Sequence, residues 1–262
     1  MSAPDPEATA RLARAVAGAE SVVVLTGAGI STPSGIPDFR SPGTGLWANV
    51  DPMAVAHVDV LTEQPELFWR FYADRFTTLA GIAPNPAHTV VAELEARGIV
   101  DWVITQNVDR LHCAAGSRNV IELHGSIERS PCTVCDATWG LEDVRRLAEE
   151  ADDGIPECSC GSMIRPGVVL FGEMLPERAL RDASAAAVAA DLMICIGSSL
   201  EVHPAAGLPT ITKRAGGAIA IVTQGATPLD GVADHRLGGD VVAELTALLD
   251  ALEDLGVARS GE

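Results

Sequence analysis

The sequence predicts an α/β fold, a doubly wound parallel sheet with helices on both faces and a second, smaller lobe. Three observations carry this. Short apolar runs rich in Val, Ile, Leu and Ala, at 21–25, 100–105, 192–196 and 218–222, read as buried strands. Helical stretches with recognisable caps fall between them. The first strand also runs straight into a glycine turn, TGAGISTPSGIPDFR at 26–40, which is how Rossmann-like sheets bring their chain to a nucleotide phosphate.

Each element has its own justification. Asp5 and Pro6 form an N-cap and first helical position for an Ala-rich helix with Leu12 and Val16 on one face. Strand 21–25 follows. Residues 41–84 carry Gly and Pro punctuation and a helix at 65–79. Asn85-Pro86 opens a helix with Val90, Val91 and Leu94 inward, and Gly98 ends it. Strands at 100–105 and 119–123 precede a polar, cysteine-bearing excursion at 132–161. Strand 167–171, helix 177–190, strands 192–196 and 218–222 and a final helix at about 240–252 complete the pattern. The expectation is one domain, 1–262, whose large lobe comes from 1–40, 85–127 and 163–256. The small lobe combines a helical insertion, 41–84, with a ribbon, 128–162.

Composition excludes several classes. Hydrophobic residues make up 47% and aromatics only 4%, so the core is aliphatic. The net charge of −18 argues against nonspecific nucleic-acid binding, which needs clustered Lys and Arg. No basic-then-apolar leader opens the sequence, and no apolar run approaches the roughly 20 residues that span a bilayer. A cytoplasmic protein with no membrane partner is expected. Six cysteines in 262 residues do not suggest a disulfide scaffold. Cys195, inside an apolar strand, reads as a small core residue.

Four cysteines are clustered. Cys132 and Cys135, then Cys158 and Cys160, make two close thiolate pairs separated by a loop, with Gly161 suited to the second turn. Tetrahedral Zn²⁺ takes four such ligands. Four protein ligands leave no open position, so the ion is structural.

The glycine turn is not a dehydrogenase fingerprint. Gly27 and Gly29 permit a tight turn and close approach of the backbone to a pyrophosphate. The third glycine falls at Thr32, however, and Pro33 blocks the helix that should follow. No acidic ribose-binding residue stands at 46–49. A plain strand-to-loop turn would leave the continuation to Asp38, Phe39 and Arg40 unexplained.

This continuation resembles the cofactor-binding signature of the sirtuins, NAD-dependent protein-lysine deacylases, here of bacterial type. Also similar to that family are TQNVDRLH at 105–112, ELHG at 122–125, FGE at 171–173 and GSSL at 197–200. The blocks fall in the family's order over about residues 8–255. The resemblance implies NAD as co-substrate, with Gly27, Ala28, Gly29, Phe39, Arg40, Gln106, Gly197, Ser198, Ser199 and Thr223 against it. Thr223 stands where the family commonly has Asn. The resemblance also gives Ile36, Asn107 and Asp109 to the nicotinamide carboxamide and adds Asp38 to the cofactor set. His124 becomes the general base, with Asn107 beside it as a catalytic residue. An imidazole suits removal of a ribose hydroxyl proton because its ordinary pKa lies near working pH. In the implied reaction the acyl oxygen of a modified lysine attacks C1′ of the nicotinamide ribose. Nicotinamide leaves and an alkylimidate forms; His124 activates a ribose hydroxyl to attack it, and water completes the reaction to give free lysine and O-acyl-ADP-ribose.

The acyl-lysine protein substrate is implied to bind as an extended strand. Val169, Phe171, Gly172 and Glu173 form one edge and Val202, in 200–204, the other. Tyr72 and Arg75 share a helix face at i, i+3. In sirtuins that remove succinyl and malonyl groups such a pair binds the distal carboxylate, with a small residue, here Ala56, widening the channel. The alternative is an amphipathic helix whose Tyr packs and whose Arg is solvated. Two other functions compete: mono-ADP-ribosyl transfer, which shares every NAD contact, and a non-catalytic NAD-sensing or zinc-ribbon module, which needs no base.

Overall fold

A computed structural model describes residues 3–38, 45 and 50–257. Its first helix, α1 (Pro6–Gly18), starts as the sequence requires: the Asp5 side chain accepts from the amides of Glu7 and Ala8, and Pro6 needs no donor. Strand β1 (Val22–Thr26) is buried throughout. The insertion that follows holds α2 (Pro52–Val55), α3 (Val58–Glu63) and α4 (Pro65–Leu79). Next come α5 (Pro86–Ala96), capped by Asn85, then β2 (Trp102–Thr105), α6 (Leu111–Ala115) and β3 (Val120–Glu122). The cysteine excursion forms a small hairpin, β4 (Ser130–Pro131) with β5 (Thr138–Trp139), and a helix, α7 (Leu141–Glu150). The chain then returns through α8 (Glu177–Ala189), β6 (Leu192–Ile196), α9 (Leu208–Ala215), β7 (Ala218–Val222), β8 (His235–Leu237) and α10 (Val241–Asp254).

Among the described residues the main sheet has six parallel strands in the order β3-β2-β1-β6-β7-β8. Alternation within each strand divides the core into two layers. Val22, Val24, Ile194, Ile196, Ala220 and Val222 face α1, α5 and α10. Val23, Leu25, Met193, Cys195, Ile219 and Ile221 face α8 and α9. A third cluster joins the helical insertion to the cysteine ribbon through Phe68, Trp69, Phe76, Leu141, Val144 and Ile164. The sheet therefore winds both ways from β1, and ligands bind at such a reversal, outside the carboxyl ends of β1 and β6.

The sequence expectation fails at 167–171. This apolar run joins no sheet, and makes only isolated bridges, Val168 to Gly125 and Phe171 to His57. Its amides are bound elsewhere: Val169 donates to the His124 carbonyl at 2.8 Å and Phe171 to that of Ala56 at 3.1 Å. An extended tie between sheet and insertion has replaced a strand. No helix among the described residues is long and apolar enough to cross a membrane.

Candidate active site

The carboxyl ends of the strands open into a cavity of about 820 Å³. At its middle, the turns after β1 and β6 pack backbone on backbone. The Gly27 and Gly29 amides donate to the carbonyls of Ile196 and Gly197 at 3.0 and 2.8 Å. A Cβ on Gly29 would sit 2.7 Å from Gly197 Cα, and one on Gly27 would sit 2.9 Å from the Gly197 oxygen. Only glycine fits. This corrects the expectation that these two amides face a pyrophosphate: they are already engaged, and the glycines first serve to bring the two turns together. Ser198 Oγ accepts from Gln106 Nε2 at 2.9 Å and from the Leu200 amide at 3.2 Å, which leaves its own proton to donate.

Behind this wall lies a polar knot that the sequence did not disclose. His88 Nδ1 accepts from the Asn85 amide at 3.3 Å, so its proton sits on Nε2 and is donated to Ser31 Oγ at 3.3 Å. Burial pushes the His88 pKa down to about 4, in keeping with this neutral form. Ser31 Oγ also accepts from Asn107 Nδ2 at 3.1 Å and donates to Asp109 Oδ2 at 2.7 Å. The second hydrogen of the Asn107 amide goes to the Gly27 carbonyl at 3.1 Å. Asn107 can therefore offer a ligand its carbonyl oxygen, an acceptor. The other Asp109 oxygen accepts from the Leu111 amide at 3.0 Å, and burial raises its carboxyl pKa despite these bonds.

His124 follows β3 by two residues. Its Nδ1 lies 2.8 Å from the Gln106 carbonyl. A carbonyl only accepts, so Nδ1 carries the proton and Nε2 keeps an open lone pair. Burial lowers the imidazole pKa, partly countered by that hydrogen bond. The ring is neutral and basic at Nε2 at neutral pH. Gly125 beside it adopts φ +75°, a region that favours glycine.

The same cavity is lined by an apolar set, Ala56, Phe71, Phe76, Leu79 and Ile127, and by Tyr72 and Arg75. Tyr72 stacks on Phe68 with ring centroids 4.4 Å apart. Burial pushes its phenol up to about 12, opposed by the nearby Arg75 charge. Burial also lowers the Arg75 guanidinium. At the opposite end the wall is Thr223, Gln224, Ala226 and 239–241.

Away from the cavity, the ligand atoms of Cys132, Cys135, Cys158 and Cys160 lie within 4.8 Å of one another. The Val134 and Cys135 amides point at Cys132 Sγ, at 3.4 and 3.5 Å, an environment that favours a thiolate. Two short turns converging four sulfurs fit a tetrahedral zinc ion.

Residues 27–204 match the Sir2 family. The chain belongs to the Sir2 family. An NAD-dependent protein deacetylase of Thermotoga maritima is 48% identical over 84% of this chain and 88% of its own length. An NAD-dependent protein deacylase 1 of Archaeoglobus fulgidus is 43% identical over 90% and 95%. Among solved structures, a Sir2 complex with p53 peptide and NAD⁺ superposes with a TM-score of 0.84 at 42% identity, covering 94% of this chain and 98% of that one.

Within this Sir2 frame, every expected catalytic, cofactor and substrate residue among those described lines the cavity except Ile36 and Asp109. Ile36 is 6% exposed and packs with the aromatic cluster of the insertion, while Asp109 sits behind Asn107 and touches it through Ser31. Phe39 and Arg40 lie outside the described residues. Glu173 lines the cavity, but both its oxygens accept from Arg165 at 2.8 Å and one also from the Leu170 amide, so the carboxylate braces its own loop. Ser31, His88 and the apolar wall of Phe71, Phe76, Leu79 and Ile127 went unread. The order Asn85-Pro86-Ala87-His88 held a signal, because a residue three past an N-cap can return to its amide.

Proposed function

We propose that this chain removes acyl groups from protein lysine side chains with NAD as co-substrate, consuming one water and giving nicotinamide, O-acyl-ADP-ribose and free lysine. The observation that carries this reading is His124, with Nδ1–H fixed and Nε2 open. It stands between a wall able to take NAD and an apolar channel able to take an acyl-lysine stem. NAD, when bound, supplies an electrophilic ribose carbon and a leaving group. His124 Nε2 takes the proton of a ribose hydroxyl, a role matched to a neutral imidazole. Gln106 orients His124 through its main-chain oxygen and Ser198 through its side chain. The Asn107 carbonyl accepts from the carboxamide nitrogen, with Asp109 and Ile36 supporting that pocket from behind. Ser198, Ser199, Ala28 and Thr223 contact phosphate and ribose, joined by Asp38, Phe39 and Arg40.

The substrate lies as an extended strand between Val169–Glu173 and Val202, read mainly through its main chain. The four cysteines hold one structural zinc that does no chemistry. We read the whole as one catalytic domain of two lobes, 1–40, 85–127 and 163–256 against 41–84 and 128–162. The clustered free thiols favour a reducing compartment, the cytoplasm. Ala56, Tyr72 and Arg75 all line the channel, which supports succinyl and malonyl groups as substrates beside acetyl.

Mass spectrometry of an acetyl-lysine peptide incubated with protein and NAD tests the reaction. The expected result is loss of the acetyl mass with O-acetyl-ADP-ribose formed, both dependent on NAD. A peptide or protein gaining ADP-ribose instead supports the transferase reading, and an unchanged peptide with unconsumed NAD supports a binding module.

A further inference from the structure

The far end of the cavity is organised by a side chain that does not line it. Arg236, the middle residue of β8, donates from Nη1 to the Thr223 carbonyl at 2.6 Å and to the Leu237 carbonyl, and from Nη2 to the Gly225 carbonyl. Its Nε donates to Asp230 Oδ1 at 3.2 Å. Asp230 in turn accepts from the Thr227 amide at 3.1 Å and the Thr227 hydroxyl at 2.7 Å. One guanidinium thus gathers three main-chain carbonyls and a carboxylate around the loop 223–227, in which Gly225 takes φ +78°. Thr223, Gln224 and Ala226 of that loop form the cavity wall. A planar fork with five N–H donors suits this task, whereas an ammonium presents its donors from a single point.

Strand order says which part of a ligand this wall meets. His124 follows β3 and Thr223 follows β7, four places along the sheet. At about 4.8 Å per strand, the separation is roughly 19 Å, the reach of an extended dinucleotide. With the reacting ribose at His124, the loop 223–227 meets the nucleoside at the other end. Resting on the deacylase reading above, we propose that Arg236 is a positioning residue for the adenosine end of NAD, acting through the carbonyls of Thr223 and Gly225. The contacts that fix this wall are made to main chain, so the identity of residue 223 matters less than the shape of the loop.

The test compares Arg236→Met and Arg236→Lys with wild type in the full-length protein. Calorimetric titration measures ADP-ribose affinity, and steady-state kinetics give KM for NAD, KM for an acetyl-lysine peptide, kcat and inhibition by nicotinamide. In the Met variant, ADP-ribose affinity falls and KM for NAD rises by about tenfold or more, since several charge-assisted bonds are lost. At saturating NAD, kcat, peptide KM and nicotinamide inhibition stay within about twofold, because the β2–β3 end is untouched; Lys falls between. Unchanged ADP-ribose affinity in the Met variant overturns the proposal. So does a parallel loss of peptide binding, nicotinamide inhibition and melting temperature, which marks Arg236 as general scaffold. Should the Met variant not fold, the Lys variant is judged by the same split. A wild-type protein that neither binds ADP-ribose nor consumes NAD overturns the deacylase reading and this inference with it.

Discussion

Arg75→Met separates two uses of one channel. Arg75 and Tyr72 line the cavity on one face of α4, and Ala56 faces the same space. With its phenol pushed up to about 12, Tyr72 is a neutral donor at working pH and does not repel a carboxylate. Burial disfavours the Arg75 charge, and an anionic acyl terminus brought beside it would offset that penalty. A charge-assisted hydrogen bond contributes about 1.5–3 kcal/mol. Arg75 is only half-buried, so the lower half of that range applies, about 12- to 40-fold in kcat/KM at 1.4 kcal/mol per decade. Methionine keeps an unbranched stem of similar shape and removes the charge. The assay is the ratio of kcat/KM for succinyl-lysine and acetyl-lysine versions of one peptide. Both share the NAD site and His124, so the ratio isolates the distal carboxylate. It should fall about 12- to 40-fold in the variant, with acetyl turnover within a few-fold. Equal loss of both activities would refute the reasoning and make Arg75 structural, and a wild type indifferent to succinyl-lysine would return α4 to a plain amphipathic helix.

His124→Ala should retain ADP-ribose binding and lose deacylation by about 10²–10⁴-fold, and near-wild-type turnover in folded protein removes the residue from the mechanism. Because burial lowers the His124 pKa, protonation should switch activity off only on the acid side: kcat/KM should be level from neutral pH upward and fall along a limb below about 6.5, the ordinary histidine value. A limb at or above that value contradicts the assignment. Metal analysis should find one zinc per chain, and chelation or any single Cys→Ala change at 132, 135, 158 or 160 should lower the melting temperature; unchelated protein without stoichiometric metal sinks the zinc assignment. Gly29→Ala places a Cβ 2.7 Å from Gly197 Cα and should destabilise by about 1–3 kcal/mol in denaturant titration, whereas an unchanged midpoint means that the two turns can part freely.

The central strands were legible because burial on both faces demands unbroken apolar runs. β1, β6 and β7 carry them, and the alternation between layers follows from the same residues. That criterion also misread 167–171, whose apolar residues serve an inter-lobe tie instead. β8 escaped because three residues, two of them polar, carry no period, and α9 because it is eight residues long with Pro and Thr in its sequence. α7 is hidden inside the cysteine excursion by its charge: only Leu141, Val144 and Ala148 are buried. In the site, blocks adjacent in sequence were readable, His124 and the cysteine quartet above all. The partners of Asn107 and Asp109 were not, since Ser31 reaches them across 76 and 78 positions of chain, and His88 reaches Ser31 across 57.

The Ser31 hydroxyl has one hydrogen and two lone pairs, and each already has a partner. Such saturation makes positions 31, 88, 107 and 109 a single heritable unit rather than four independent sites. A recombined or consensus-designed variant that borrows one of them from another sequence inherits a mismatch at the other three, and single substitutions there should not sum. In a library built on this scaffold, the four positions belong in one cassette, exchanged together or left alone.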